Sequence, residues 1–226
     1  MLFLISSSLI AGSWDGFYLS GLAGSGWCQT DGEFTGPNYF NTLGPSVVGT
    51  SFDFNKQGFL YGGALGWNYQ KFCFVAGIEG SALGSTVKET RSSPFFPTLD
   101  TYEQHLKWMA ALKLRVGLSL CGTLAYATGG YAGGATRLAF YDAISEIRAD
   151  STEWSNGWTV GTGLEKQLFC GIAVGIAYDY TQLSLNKRTI PCPGCGIGVG
   201  FGTPVIDSKL RVQSACIKLT YLIPTL

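Results

Sequence analysis

The stretch "QHLKWMAALKLRVGLS", residues 104–119, sorts its side chains by parity. Leu106, Trp108, Ala110, Leu112, Leu114, Val116 and Leu118 fall on one side of an extended chain. Lys107, Lys113, Arg115 and Gly117 fall on the other. Wound as a helix, the same residues would scatter three cations around the axis, so the period is that of a strand. A strand with an unbroken bulky apolar face and a cationic opposite face has few places to go. In a soluble up-and-down barrel the large apolar side chains point inward and the charges outward. In a transmembrane barrel the order reverses, with lipid outside and small or polar groups inside.

Composition separates these two cases. Only 13% of the 226 residues are charged, against roughly 25% in an ordinary soluble domain. Lys plus Arg and Asp plus Glu balance at 15 each, which leaves no basic footprint for nucleic acid. No run of about 18 apolar residues offers a transmembrane helix. A charge-poor chain without a spanning helix can still satisfy its backbone in lipid as a closed β-barrel. The predicted fold class is therefore all-β, an eight-stranded antiparallel up-and-down transmembrane β-barrel.

Eight alternating segments carry this reading, at about 14–27, 57–70, 72–86, 104–119, 122–136, 155–168, 170–183 and 205–223. In the second, Phe59, Tyr61, Leu65, Trp67 and Tyr69 oppose Gly62, Ala64, Gly66 and Asn68. In the seventh, Ile172, Val174, Ile176, Tyr178 and Tyr180 oppose Ala173, Gly175, Ala177 and Asp179. Connections alternate between long (28–56, 87–103, 137–154, 184–204) and short (Gln70–Lys71, Leu120–Gly122, Phe169). Long loops at one rim and short turns at the other are how single-chain outer-membrane barrels are built. Trp14, Trp27, Tyr69, Phe74, Trp108, Trp158, Tyr178 and Tyr221 fall near segment ends, where rings are expected at the membrane–water interfaces.

The motifs in order resemble one family. "WDGFYLSGLAGSGW" is similar to the first strand of the opacity-like outer-membrane β-barrels, relatives of the transmembrane domain of outer-membrane protein A. "GGALGWNYQKFCFVAGIEGSALGS" resembles their second hairpin, with Glu79 at a recurrent glutamate. "GTLAYATGGYAGG", "GWTVGTGLEKQL", "AVGIAYDYTQL" and "IKLTYLI" resemble the fifth, sixth, seventh and closing strands. The resemblance spans residues 14–223 and implies an outer-membrane location in a Gram-negative bacterium, with a porin-like role sometimes attached to the family. Residues 14–226 are expected to form the barrel. Residues 1–13, "MLFLISSSLIAGS", resemble the apolar core and cleavage region of a signal peptide, with a disordered N-terminus as the other reading.

Chemistry is sparse. The one histidine, His105, has Asp100 and Ser92 or Ser93 nearby in sequence, but a polar histidine at a loop end is far more often solvated than catalytic. No enzyme activity, cofactor or metal is expected. Cys192 and Cys195 form C-P-G-C without the second pair a zinc ribbon needs, so a local disulfide or exposed thiols are the readings. Cys73, Cys121 and Cys170 sit at the short turns and are candidates for intermolecular thiols toward envelope neighbours. Cys28 is placed at the start of the first loop and Cys216 inward on the last strand.

Parity sends Glu79, Lys107, Lys113, Arg115, Glu165, Asp179 and Lys218 into the barrel, four cations against three anions. In a narrow tube such charges must pair. Lys166 breaks an outward face near a short turn and is expected to snorkel to headgroups. The expected function is a structural or adhesin-like barrel with a charge-plugged interior. Its expected partners are outer-membrane lipid and, through the long loops, a host or envelope protein. A porin-like passive channel and a soluble lipocalin-like ligand-binding barrel are the alternatives.

Overall fold

In a computed structural model of the chain, residues 13–36, 49–92, 98, 100–142, 147–169, 171–189 and 205–223 are described. Among them nine strands form one antiparallel sheet. They are β1 (Gly16–Gly36), β2 (Ser51–Lys71), β3 (Phe74–Ser85), β4 (Lys88–Ser92), β5 (Asp100–Leu120), β6 (Thr123–Asp142), β7 (Ile147–Phe169), β8 (Ile172–Thr189) and β9 (Val205–Leu222). Strands β3 and β4 both pair with β5 and form one stave interrupted at Thr86 and Val87. Strand β1 pairs with both β2 and β9, and β3 pairs with β5. The sheet thus closes into a ring of eight staves with no free edge, the one way a sheet can cross lipid.

The outer face is apolar. Leu65, Phe74, Leu114, Val116, Ile176 and Ile217 are each about 60–70% exposed. On β1 the outward series runs from Phe17 to Trp27, a separation of ten residues. At ~3.3 Å per residue and a tilt of ~40° this spans roughly 25 Å of bilayer. A lipocalin-like barrel would bury these side chains, so the soluble alternative is excluded.

Three tight turns close the short-connection rim. They fall at Phe72–Cys73, Cys121–Gly122 and the position of Gly171; the second lies within the expected Leu120–Gly122, and the other two a residue or two beyond the expected turns. Cys121 (φ 49°) and Gly122 (φ 73°) both lie in the left-handed region, as a two-residue hairpin of the type I′ kind demands. At the other rim the strands run well past the expected ends: β1 continues to Gly36 and β7 begins at Ile147. Above the membrane both faces of a strand meet water or loop. Hydrophobic alternation stops there while the backbone ladder continues.

The ladder shifts register at four places among the described residues, and one of them overturns an expected face. A β-bulge between Leu106 and Trp108 on β5 adds a residue against β6. Leu106 therefore turns inward and is buried, and Lys107 is exposed, the reverse of the sequence expectation. One inserted residue exchanges the faces of everything beyond it.

Candidate functional site

The interior is the built part of this molecule, and it has three layers. At the short-turn end lie Trp14, Tyr18, Val75, Leu124, Tyr126 and Ala173, all buried. Trp14 was expected at a membrane interface; it is instead fully buried in the barrel mouth. A strap holds it there. The Trp14 backbone N–H donates to Gln70 Oε1 at 2.7 Å, and Gln167 Nε2 on β7 donates to the Ser13 carbonyl at 2.7 Å. At the loop end, Leu60, Leu83, Leu106, Met109, Leu183 and Leu210 form a second apolar layer. Cys28 belongs to that layer, buried on β1 and not in a loop.

Between the apolar layers lies the charge cluster. Glu79 and Lys113 face each other across β3 and β5, and their side chains meet at 3.0 Å. Lys218, from β9 on another wall, reaches Glu79 Oε2 at 2.5 Å and Glu165 Oε1 at 3.3 Å. Arg115 Nη2 donates to Glu165 Oε1 at 2.6 Å, and its Nη1 lies 3.8 Å from Glu79. Lys113 also donates to Asp179 at 3.2 and 3.3 Å. Hydroxyls take further lone pairs: Tyr18 donates to Glu79 at 2.9 Å and Thr220 to Glu165 at 2.8 Å. The Arg115 guanidinium lies 3.7 Å from the Tyr126 ring centroid and 5.3 Å from that of Tyr18, within cation–π range.

All six residues, Glu79, Lys113, Arg115, Glu165, Asp179 and Lys218, are thus in one network. With Lys107 outside, the balance is three cations to three anions, not four to three. Such a cluster is neutral as a whole, which is the condition for holding ions away from water. Glycines make the room. A Cβ on Gly66 would come within 2.5 Å of the Tyr18 ring, and one on Gly163 would overlap the Tyr126 ring.

Tyr18 and Tyr126 were not singled out from sequence. Their signal was available in the facing glycines, Gly66 opposite Tyr18 and Gly163 opposite Tyr126, but it depends on the register of each strand pair. Beside Lys113 and Asp179 a cavity of about 20 Å³ is lined also by Ser81, Thr159, Thr181 and Ser214. That is room for about one water, not a path.

The remaining candidates are dispersed. His105 pairs with Lys88 and Ser92 with Thr101, so their backbones lie ~13 Å apart along the ladder. Ser93 lies outside the described residues. Cys73 and Cys121 occupy the turns, and Cys28 and Cys216 are buried; all four are free thiols. Cys170, Cys192 and Cys195 lie outside the described residues. Lys166 donates to the Cys121 carbonyl at 2.6 Å, capping the turn at the rim. Among the described residues no cluster of His, Cys, Asp or Glu could hold a metal.

A closed ring of eight staves, a lipid-facing apolar belt and short turns at one rim define an outer-membrane β-barrel protein. Residues 1–203 match the family model described as "Outer membrane protein beta-barrel domain". The chain belongs to that family, and its place is the outer membrane of a Gram-negative bacterium. It is 30% identical to the 25 kDa outer-membrane immunogenic protein of Brucella ovis over 84% of this chain and 79% of that one. The protein of the same name from Brucella canis is 32% identical over 78% and 68% of the two chains. Among solved structures, the outer membrane protease OmpT from Escherichia coli superposes with a TM-score of 0.52 at 11% identity, over 92% of this chain and 97% of that one. At that identity the likeness is one of fold alone.

Proposed function

We propose that the protein is a non-enzymatic, non-conducting anchor that holds long loops at the cell surface in an adhesin-like role. The observation that carries this is the filled lumen: an ionic layer, neutral as a whole, closed above and below by apolar side chains. An eight-stranded barrel has space for little more than its own side chains, and here they meet from wall to wall. An ion crossing it would have to displace Trp14, break the Glu79–Lys218 contact and pass between leucines. The porin-like reading needs a continuous wet path, and the 20 Å³ cavity beside Lys113 does not supply one. The printed name of the Brucella relatives, outer-membrane immunogenic protein, agrees with loops that antibodies can reach. Host or envelope proteins are the proposed loop partners. Purified protein in planar bilayers tests this: small, rare openings are expected. Steady single-channel conductance would overturn the anchor and favour a channel.

A further inference from the structure

The bulge that expels Lys107 places it in a row. In the register of β4 to β7, Lys88 faces His105, His105 faces Arg137, and Arg137 faces Thr152. The Lys107 ammonium lies 3.4 Å from the Thr152 hydroxyl, which puts it at the same level. It reaches no carboxylate among the described residues. Directly below, toward the membrane, Trp108 faces Ala135 and Ala135 faces Trp154. The two indoles pack at 4.9 Å between centroids, on the lipid side of the wall. Indole pairs of this kind mark the headgroup level. Lys88, Lys107 and Arg137 therefore stand just outside the hydrocarbon, at the long-loop rim, which is the outer leaflet in barrels of this construction. Adjacent strands are ~4.8 Å apart, so the row spans about 10 Å.

The carboxylates on this face lie farther from the membrane. Glu103 pairs with Lys88 at 3.1 Å and with Arg148 at 3.3 Å, and Asp150 pairs with Arg137 at 3.0 Å. Among the described residues four cations thus meet two anions, and the surplus sits nearest the lipid. The opposite face has the reverse polarity. There Asp31, Glu33, Asp53 and Asp207 outnumber Lys209 and Arg211 on the outward side of β1, β2 and β9. A barrel whose rim only needed solubility would have no cause to segregate sign around its circumference.

We infer that the Lys88–Lys107–Arg137 row docks a phosphorylated lipid headgroup of the outer leaflet, on one side of the barrel only. The site takes phosphate esters: Arg137 offers a planar fork and the two lysines mobile ammonium groups, and the indole pair below seats the acyl chains. The inference is independent of what the loops bind.

The test uses the whole protein in nanodiscs of phosphatidylcholine doped with a bis-phosphorylated glucosamine-disaccharide lipid or with its dephosphorylated form. Retained glycolipid is read by native mass spectrometry. The wild type should retain the phosphorylated form at least about tenfold over the dephosphorylated one. Lys107→Gln with Arg137→Gln should lower retention about twenty-five-fold, from the order of fivefold for each of the two basic groups beside a charged membrane surface. Lys209→Gln with Arg211→Gln, on the opposite face, should leave retention unchanged. Millimolar inorganic phosphate should not displace the lipid, because it lacks the chains the indoles seat. Equal retention of the two glycolipids, equal loss from both pairs of variants, or displacement by free phosphate would each overturn the inference. The wild-type comparison needs no variant to fold, so a failed refolding does not shield the proposal.

Discussion

Removing the Glu79 carboxylate is the sharpest perturbation the interior allows. Its side chain is 3% exposed and meets Lys218, Lys113 and the Tyr18 hydroxyl, with Arg115 at 3.8 Å. Glu79→Gln keeps the shape and leaves three buried cations against two anions. Breaking a buried pair by deleting one partner costs roughly 3–5 kcal/mol, because the other charge is left uncompensated. Urea unfolding in phospholipid vesicles, followed by tryptophan fluorescence and by heat-modifiable gel mobility, should show a loss of that order at unchanged m-value.

The second substitution separates net charge from pairing. Glu79→Gln with Lys218→Met leaves Lys113 on Asp179 and Arg115 on Glu165, both pairs closed. Glu79→Gln with Lys113→Met is equally neutral, but it leaves Asp179 with only the Thr128 hydroxyl at 3.5 Å. The first double variant should recover about 2 kcal/mol or more of the single-variant loss, within the range of couplings between contacting residues. The second should recover less. A Glu79→Gln effect below about 0.5 kcal/mol, or equal rescue by the two lysine changes, would refute the paired network.

Three further outcomes are expected. A protease site inserted near Asn41 should be cut on intact cells, whereas one beside Lys71 should be protected until the outer membrane is opened; the reverse order would invert the barrel's orientation. Non-reducing gels of native envelopes should show high-mass bands that vanish when Cys73, Cys121 and Cys170 are together changed to Ser, and monomer under all conditions would remove the intermolecular thiols. Gly163→Val should destabilise by about 2 kcal/mol or more, since its side chain would overlap the Tyr126 ring, while Gly21→Val, which meets nothing within 4 Å, should change stability by under about 0.5 kcal/mol.

Much of the barrel was legible because lipid enforces parity. Phe59 to Tyr69 on β2 and Ile172 to Tyr178 on β8 face outward in alternation because an apolar solvent lies on that side for the whole width of the bilayer. Where the solvent changes, so does legibility. On β1 beyond Trp27, Gln29, Asp31 and Glu33 face water and Thr30 and Gly32 face the mouth, so both sides read as loop. The backbone nonetheless continues its ladder with β2 as far as Glu33 opposite Ser51. Lys107 was misplaced for a different reason. Parity arguments count residues, and a bulge adds one without any mark in a sequence that reads Leu-Lys-Trp.

The interior was legible by residue but not by layer. Each buried charge announces itself by standing at inward parity among glycines, as Glu79 does between Gly77 and Ser81 and Asp179 does opposite Gly161. Partner choice is a property of the closed ring: Lys218 on β9 finds Glu79 on β3 only because β1 and β2 curve between them. The same closure brings Trp14, Leu124 and Val75 together under the charges and Leu60, Leu106 and Leu183 above them. Those caps change the physics of the middle layer. Between two apolar layers an ion pair is screened less than in water, so its attraction and the penalty for breaking it both rise. The charges hold five of the staves, β3, β5, β7, β8 and β9, at one relative height. Sliding any one of them by two residues would strand a charge among leucines. A lumen built this way specifies register.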